Sequence, residues 1–193
     1  MAVRAGVVAL LVPLGLLTGA SGGWAQGGPA VDEREIVLAV GRFEPYAQGR
    51  EAITYDQKLV PVNAAAAVAY VPGADGRMQV MLRTRGLVPN RQYGAHAHTN
   101  QCGARGDDAG PHYQHMKDPK SPSTDPKYAN PRNEIWLDFT TDAQGNGVAK
   151  AVQAWRFTDR QAKSVVIHAE HTHTGAGHAG QAGARLACLT VPF

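Results

Sequence analysis

The pattern that most constrains the fold is an alternation of apolar and polar residues over positions 78–85, Met-Gln-Val-Met-Leu-Arg-Thr-Arg. Successive side chains of a β-strand point to opposite faces, so a period of two indicates a strand with one buried face. Gly73 and Gly76 precede this segment and Pro89-Asn90 follows it, and these are typical turn residues. Similar short segments with apolar or alternating residues recur at 35–43, 64–71, 93–98, 134–141, 148–157, 164–168 and 186–191.

No segment after residue 25 shows the 3.6-residue period or the capped ends of a helix. The 22 glycines and 12 prolines are also many for a helical bundle. About eight short strands joined by turns predict an all-β fold, a sandwich or a barrel. Two long loops, 100–133 and 169–184, interrupt the pattern, and loops of this length need bound ligands or a covalent link to hold them.

The first 25 residues have the composition of an export signal. Arg4 supplies a positive charge, residues 6–17 are apolar, and Gly23-Trp24-Ala25 fits a small-x-small cleavage site. The alternative is a retained membrane anchor, but a span requires about 20 apolar residues, and this run is shorter and is broken by a proline and a glycine. We predict a signal peptide over 1–25, an extension or linker over 26–52 and one globular domain over 53–193.

A signal peptide places the mature protein in an exported location, which is the extracellular, periplasmic or cell-envelope space. No second apolar stretch follows it, so we expect no membrane partner once the signal is removed. The 193 residues are 44% hydrophobic and 18% charged, which excludes a disordered polar chain. The net charge is +3, and without Arg4 the 19 basic residues become 18 against 16 acidic ones. No dense Lys/Arg cluster is present, so nucleic acid is not an expected partner.

Eight histidines are the unusual count in a chain of this length. In His96-Ala97-His98 the two imidazoles share one face of a strand and can converge on one ion. Such a pair alone is weak support, because exposed strand histidines are common. His112 in the first long loop and His168 at the end of an apolar strand strengthen the interpretation. Imidazoles without thiolates suit copper or zinc, and four neutral imidazoles favour copper(II).

The two cysteines of the chain, Cys102 and Cys188, lie 86 positions apart. An exported protein is in an oxidising compartment, where one intramolecular disulfide is the expected outcome. Two free thiols or a pair of thiolate metal ligands are the alternatives. An isolated pair without Cys-x-x-Cys spacing disfavours thiolate coordination of zinc.

Six motifs, in order along the chain, resemble those of the copper/zinc superoxide dismutase family. They are Gly94-Ala95-His96-Ala97-His98, Cys102, Gly110-Pro111-His112-Tyr113, Gly145-Asn146-Gly147-Val148-Ala149, Val166-Ile167-His168 and Gly183-Ala184-Arg185-Leu186-Ala187-Cys188. The resemblance covers about residues 53–193, and its most specific motif is the last, with an arginine three residues before the cysteine. It implies an immunoglobulin-like Greek-key β-sandwich or barrel of about eight antiparallel strands with two long loops.

Carried over by position, the resemblance implies that His96, His98, His112 and His168 bind copper. It also implies that Arg185 is the cation beside the metal, that His112 takes part in proton transfer, and that Cys102–Cys188 is the family's disulfide. The implied activity is that of an oxidoreductase, a superoxide dismutase, with superoxide as its small-molecule substrate and dioxygen and hydrogen peroxide as products. Family members occur as monomers and as dimers, so a monomer or a homodimer is expected.

The zinc site of the family is not recognisable. In the family, the copper ligand of the first long loop also bridges to zinc, and two further histidines and an aspartate of that loop complete the zinc site. Here the segment 113–134 holds only His115, Asp118, Asp125 and Glu134 as candidate ligands, and none of them has the family's sequence context. The chain therefore resembles a copper-only, exported member, and zinc is not expected.

Without zinc, another group must hold the loop and orient the ring of His96 or His112, and carboxylates commonly do this by accepting the distal N–H. Glu134 and Glu170 are our candidates, and an exposed carboxylate at a strand end is the alternative interpretation of each. The loop after His168 holds three more histidines, His171, His173 and His178. They suit either an accessory copper-capture site or a solvated loop, and we favour the solvated loop.

Two other functions are compatible with this sequence. The first is a copper-binding or storage protein on the same fold, with little dismutase activity; the missing zinc site and the additional histidines favour it. Arg185 favours the enzyme, because a carrier has no need of a cation beside the metal. The second is a purely structural sandwich, which the ordered set of four histidines disfavours.

Overall fold

The computed structural model describes residues 36–193. The predicted signal peptide over 1–25 and the first part of the predicted extension lie outside the described residues. No helix within 36–193 has the length and apolar character required to cross a membrane.

Nine strands and one short 3₁₀ helix make up the described part of the chain. The strands are β1 Val37–Arg42, β2 Ala52–Thr54, β3 Ala65–Pro72, β4 Met78–Arg85, β5 Gln92–His98, β6 Phe139–Thr140, β7 Gly147–Gln153, β8 Ser164–His168 and β9 Arg185–Thr190. The 3₁₀ helix, Gly106–Ala109, lies in the first long loop. The predicted all-β fold is confirmed.

The strands form two antiparallel sheets that pack face to face. One sheet has four strands in the order β1-β3-β4-β7, and the other has five in the order β2-β9-β8-β5-β6. The alternation of apolar and polar residues that predicts β4 matches the alternation of buried and exposed side chains in the structure. Met78, Val80 and Leu82 are buried in the core, while Gln79 and Arg83 are exposed. The buried faces of the two sheets enclose one hydrophobic core.

The sheets begin earlier in the chain than the expected domain start at residue 53. Val37–Arg42 pairs with β3 along its whole length, and Ala52–Thr54 pairs with β9. The part of the segment 26–52 that the structure describes therefore contributes strands to both sheets. Its small apolar residues, such as Ala39 and Ala52, are buried in the core, which explains why it pairs rather than acting as a linker.

The predicted strand over 134–141 is reduced to Phe139–Thr140. Glu134 and Trp136 make only isolated bridges, with Gln114 and His96. The physical reason is that the Asp138 carboxylate, not a backbone carbonyl, accepts from the N–H of Ala95, although the Leu137 N–H still donates to the Ala95 carbonyl oxygen at 2.7 Å. The short strand is held by the Phe139 ring, which stacks on Tyr93 with centroids 5.3 Å apart.

The first long loop is fastened to the sandwich by the disulfide Cys102–Cys188, whose Cα atoms are 5.7 Å apart. Cys188 lies in the middle of β9 and is fully buried. The N–H of Cys102 also donates to Thr190 Oγ1 on the same strand. The structure thus contains the predicted disulfide, and the loop that carries His112 starts from a fixed point.

Candidate metal centre

The structure brings His96, His98, His112 and His168 together on the face of the five-stranded sheet that is turned away from the core. One ring nitrogen from each histidine lies within 4.8 Å of the others. Within residues 36–193 this is the only cluster of three or more His, Cys, Asp or Glu side chains that could hold a metal ion. His96 and His98 lie on the same face of β5, as the one-residue spacing predicts. Both are fully buried.

Irregular backbone brings the other two histidines to this face. A register shift between β8 and β9 occurs at Ile167/His168, and it places His168 opposite Arg185. His112 follows Gly110, whose φ of +73° suits glycine, and forms an isolated bridge with His98. Gly94 allows the second long loop to cross β5, because a Cβ there would lie 2.3 Å from the carbonyl oxygen of Glu170.

Hydrogen bonds fix which nitrogen of three rings carries the proton. The Nδ1 of His98 is 2.9 Å from the Gly110 carbonyl oxygen, and that of His168 is 3.4 Å from the carbonyl oxygen of Gly183. The Nδ1 of His112 is 2.8 Å from Glu134 Oε2. Oxygens of this kind only accept, so each Nδ1–H donates and each Nε2 keeps a free lone pair. The Nε2 atoms of His98 and His168 approach to 3.3 Å.

His96 has the opposite arrangement. Its Nε2 lies 2.6 Å from Thr172 Oγ1, and its Nδ1 is buried without any hydrogen-bond partner within the described residues. A buried polar atom left unpaired is uncommon and needs an explanation. A metal ion held by His96 Nδ1 and the Nε2 atoms of the other three rings explains it.

Burial favours the neutral form of three of the imidazoles, those of His96, His98 and His168. Burial, reinforced by the neighbouring imidazoles, holds the pKa of His96 and of His98 well below the usual value. Burial likewise lowers the pKa of His168 to about 3. Lone pairs are therefore available at neutral pH, as metal coordination requires. Four imidazole nitrogen donors with no thiolate fit copper.

Glu134, one of the two carboxylates predicted to support the histidines, is buried beside His112. Its Oε2 accepts from His112 Nδ1 and from Trp136 Nε1 at 2.7 Å, and its Oε1 accepts from Gln114 Nε2 at 2.7 Å. Three donors thus surround a carboxylate that is almost fully enclosed. This arrangement fixes the ring of His112.

Glu170, the other candidate, is placed differently from our expectation. Its side chain is exposed, and its carboxylate lies 3.3 Å from His173 Nε2 rather than beside a ring of the cluster. The chain turns outward after His168, so that the residue reaching back to His96 is Thr172. Thr172 Oγ1 donates to Asp138 Oδ1 at 2.7 Å, and the Thr172 N–H donates to Asp138 Oδ2 at 2.7 Å.

Asp138 and Thr172 are the supporting residues that the sequence does not reveal. Asp138 Oδ1 also accepts from the N–H of Ala95, the residue before His96, so the carboxylate is tied to β5 itself. Nothing in the local sequence of either residue marks it. The two lie 34 positions apart and meet only because the second long loop crosses the sheet edge.

Arg185 lies at the start of β9 and is half-buried. Its Nη1 donates to the carbonyl oxygens of Gly106 at 3.0 Å and of Gly110 at 2.8 Å. The Gly110 carbonyl oxygen also accepts from His98 Nδ1, so one peptide group positions both the cation and a ring of the cluster. The Asp107 carboxylate is 3.8 Å from Arg185 Nε and almost fully exposed, which leaves the guanidinium charge largely uncompensated.

A cavity of about 600 Å³ opens beside the cluster. It is lined by His112, His168 and Arg185 and, on the first long loop and near β8, by Lys117, Lys120 and Arg160. The Asp118 carboxylate in its wall accepts from Ser123 Oγ and from the Lys120 N–H, and Glu134 accepts the three donors named above. The net charge of the lining is positive, so the cavity favours a small anion.

The remaining histidines do not form a second cluster. His171 Nε2 is 3.0 Å from the Phe139 carbonyl oxygen, and His178 Nδ1 is 3.2 Å from Gln181 Oε1. His173 faces Glu170, and the His115 ring stacks on Trp155 with centroids 4.6 Å apart. Each ring has its own local partner, so the described residues offer no accessory capture site.

This combination of an antiparallel two-sheet sandwich and four converging imidazoles defines a metal-binding β-sandwich protein. The sequence model of copper/zinc superoxide dismutase matches residues 63–191, which is most of the chain. The chain therefore belongs to the copper/zinc superoxide dismutase family, as the motifs predict.

Solved structures agree on the fold. A double mutant of a SOD-like protein from Bacillus subtilis superposes with a TM-score of 0.51 at 15% identity, covering 65% of this chain and 87% of that one. A single mutant of the SOD-like protein from Bacillus subtilis gives a TM-score of 0.51 at 14% identity, covering 65% and 88%. No curated protein matches the chain.

Proposed function

We propose that this protein is an exported, copper-dependent superoxide dismutase that works without zinc. The observation that carries the proposal is the set of four converging imidazoles, three of them buried, beside Arg185 in a cation-lined cavity. The substrate is superoxide, and the net reaction converts two superoxide ions and two protons into dioxygen and hydrogen peroxide. Nucleic acid has no part in it, and the protein acts as a monomer or a homodimer.

His96, through Nδ1, and His98, His112 and His168, through Nε2, would hold the copper. Copper, when bound, supplies the one-electron chemistry by alternating between its two oxidation states. The chain supplies the rest. Arg185 attracts superoxide and orients it, since a guanidinium presents a rigid array of donors to an anion. Lys117 and Lys120, at the cavity wall, raise the local concentration of anions.

His112 is the proposed proton carrier of the site. Its side chain is 17% exposed, whereas His96 and His98 are fully buried, so its Nε2 is the ligand nitrogen best placed to exchange a proton through the cavity. Glu134 keeps the proton of Nδ1 in place throughout, so that uptake and release take place at Nε2.

The absence of zinc is part of the proposal. The family's bridging histidine uses its second ring nitrogen for zinc, and here that nitrogen of His112 is hydrogen-bonded to Glu134. His115, the other imidazole of this loop, stacks on Trp155 instead. A buried carboxylate thus does for His112 what zinc does in the family, which is to fix the ring.

Export is proposed from the predicted signal over 1–25, and the disulfide supports it, because such bonds persist in oxidising compartments. In this proposal the mature chain starts near residue 26 and folds as a single sandwich domain. Its location is the extracellular, periplasmic or cell-envelope space.

The proposal is tested by loading the metal-free protein with copper alone and measuring superoxide disproportionation by pulse radiolysis. We expect a second-order rate constant of about 10⁸ M⁻¹s⁻¹ or more, close to the diffusional ceiling. The matched variant is Arg185→Glu, which should keep copper and lose about 10-fold or more of the rate, together with most of its dependence on ionic strength. Bound copper without dismutation in the wild-type protein would instead establish the copper-binding or storage function.

The hydroxyl of Thr172 provides a second prediction. In Thr172→Val the His96 Nε2–H loses its acceptor, and only the 3.7 Å approach of Nε2 to Asp138 Oδ1 still links the ring to that carboxylate, so we expect copper affinity to fall about 10-fold or more. The parameters of the copper(II) EPR spectrum should change as well, because the orientation of one ligand ring changes. Thr172→Ser retains the hydroxyl and should keep the wild-type affinity and spectrum. Identical spectra for the valine and serine variants would show that Thr172 does not position His96.

A further inference from the structure

The outward surface of the four-stranded sheet has an unusual composition. Among residues 36–193, nine large apolar side chains are exposed, and five of them stand on this one surface. They are Leu38, Val40, Met81, Val148 and Val152. The other outward positions of the two central strands are three alanines and Val71 on β3, and Gln79 and two arginines on β4. Such a concentration of apolar side chains on one face points to a contact surface.

Strand register makes these residues contiguous. Leu38 pairs with Ala69, Ala69 with Met81 and Met81 with Lys150. The next row runs through Val40, Ala67, Arg83 and Val148 in the same way. Directly opposed residues on neighbouring strands are in side-chain contact distance, so the apolar side chains form one patch across all four strands. The alanines of β3 keep the middle of the patch shallow.

All the charges on this surface have one sign. The outward positions of β1, β3, β4 and β7 include four cations and no Asp or Glu, and within residues 36–193 none of the four cations forms an ion pair. The cations are Arg42, Arg83, Arg85 and Lys150. We call the patch and these four cations the cationic face. A partner of the cationic face must therefore present negative charges together with an apolar region.

A second copy of the chain does not fit this requirement. A two-fold interface places the same patch on both sides, so four cations would face four cations without a carboxylate between them. An acidic protein partner is also disfavoured by composition, because the face lacks the Trp and Tyr anchors typical of protein interfaces. A surface of aliphatic side chains interspersed with arginine and lysine instead fits a lipid bilayer, at the boundary between its phosphate groups and its acyl chains.

We propose that the cationic face docks on an anionic phospholipid bilayer, with Leu38, Val40 and Val148 entering the headgroup region and the cations pairing with lipid phosphates. This contact differs from the expectation that the mature chain has no membrane partner. That expectation rests on the absence of a second spanning segment, and a peripheral contact through a sheet face requires none. The docked protein exposes the opposite side of the sandwich, so the metal cluster on the other sheet stays accessible to solvent.

The test is co-sedimentation of the purified full chain with vesicles of anionic phosphatidylglycerol mixed with phosphatidylcholine, whose negative surface potential attracts basic groups. We expect binding to these vesicles, weakening with added salt, and little binding to pure phosphatidylcholine. Arg83→Gln with Lys150→Gln should lower the partition coefficient about 25-fold, since each cation near an anionic surface contributes a factor of about five. Leu38→Ser with Val148→Ser tests the apolar part and should also weaken binding.

The control removes equal charge elsewhere, as Lys58→Gln with Lys163→Gln, both exposed and outside the face. All variants share residues 1–35, so any contribution of that segment cancels in the comparison. Equal binding by the face variant and the control variant would overturn the proposal, as would absence of binding to anionic vesicles. Sedimentation velocity on the same samples tests whether a second copy of the chain covers the cationic face. A dimer that dissociates only in the face variants would show that the partner of this face is a second copy and not a bilayer.

Discussion

Replacing both cysteines, as Cys102→Ala with Cys188→Ala, is expected to lower the free energy of unfolding of the metal-free protein by about 4 kcal/mol. The bond closes a loop of 86 positions, and in the chain-entropy model the stabilisation grows with the length of the closed loop. Alanine avoids placing a new hydroxyl at the fully buried position 188. The measurement is the urea midpoint with its slope, since a change in midpoint at constant slope is a change in stability.

The same substitution should affect the site. Cys102 begins the loop whose Gly106 and Gly110 carbonyl oxygens hold Arg185, and Gly110 also holds His98. Without the bond this loop is attached to β9 only by non-covalent contacts, namely hydrogen bonds and the packing of Ala109, so the mean position of the guanidinium becomes less defined. We expect the copper-loaded variant to lose dismutation rate even at temperatures where it is fully folded. The reduced wild-type protein is the control and should match the variant. A loss below 1 kcal/mol would mean that packing alone holds the loop.

The sequence predicts the sandwich because its strands have simple signatures. β4 alternates strictly in burial, and β8 is a continuous apolar run because both of its faces are covered. The sequence does not identify β1 as part of the sheet in the same way, since Val37–Arg42 is an edge strand whose outward side chains include the apolar Leu38 and Val40. An edge strand with both faces apolar has no clear period of two. The apolar outward side chains of β1 also form part of the cationic face. They become neighbours of the side chains on β3 only through the pairing register of the two strands, which the sequence of one segment does not reveal.

The residues of the candidate metal centre likewise divide into those that the sequence predicts and those that it does not. The four histidines are predictable because each ends or interrupts a recognisable strand or motif. Glu134 is predictable in kind, as a buried carboxylate that a ring without zinc requires. Thr172 and Asp138 are not, because their contact with His96 is made between segments that are far apart in sequence and that meet through loop geometry. Glu170 is placed closer to His168 in sequence than Thr172, yet the outward turn after His168 exposes it.

Glu134→Gln is expected to lower both the affinity for copper and the free energy of unfolding. A carboxylate at this position accepts from three donors: His112 Nδ1, Trp136 Nε1 and Gln114 Nε2. An amide has one acceptor oxygen and an NH₂ group, so at least one buried donor meets another donor and is left unpaired. We expect a loss of about 2 kcal/mol in the free energy of unfolding of the metal-free protein, the cost of one or two such unpaired groups.

The effect on copper follows from the tautomer of His112. If the NH₂ group faces His112 Nδ1, the proton of the ring moves to Nε2 and the lone pair that faces the site is lost. Copper affinity should then fall about 10- to 100-fold, as expected when a supporting partner of a ligand is removed. The measurements are a competition titration with a copper chelator and the unfolding midpoint.

Glu170→Gln is the matched control, since it makes the same chemical change at an exposed carboxylate, and it should leave both quantities unchanged. A Glu134→Gln variant with wild-type copper affinity would show that His112 needs no fixed orientation, which would remove the main support for a site that functions without zinc. Loss of copper binding in both variants would instead place Glu170 in the site. The pair of variants therefore separates the role of the buried carboxylate from the general effect of removing one negative charge near the histidines.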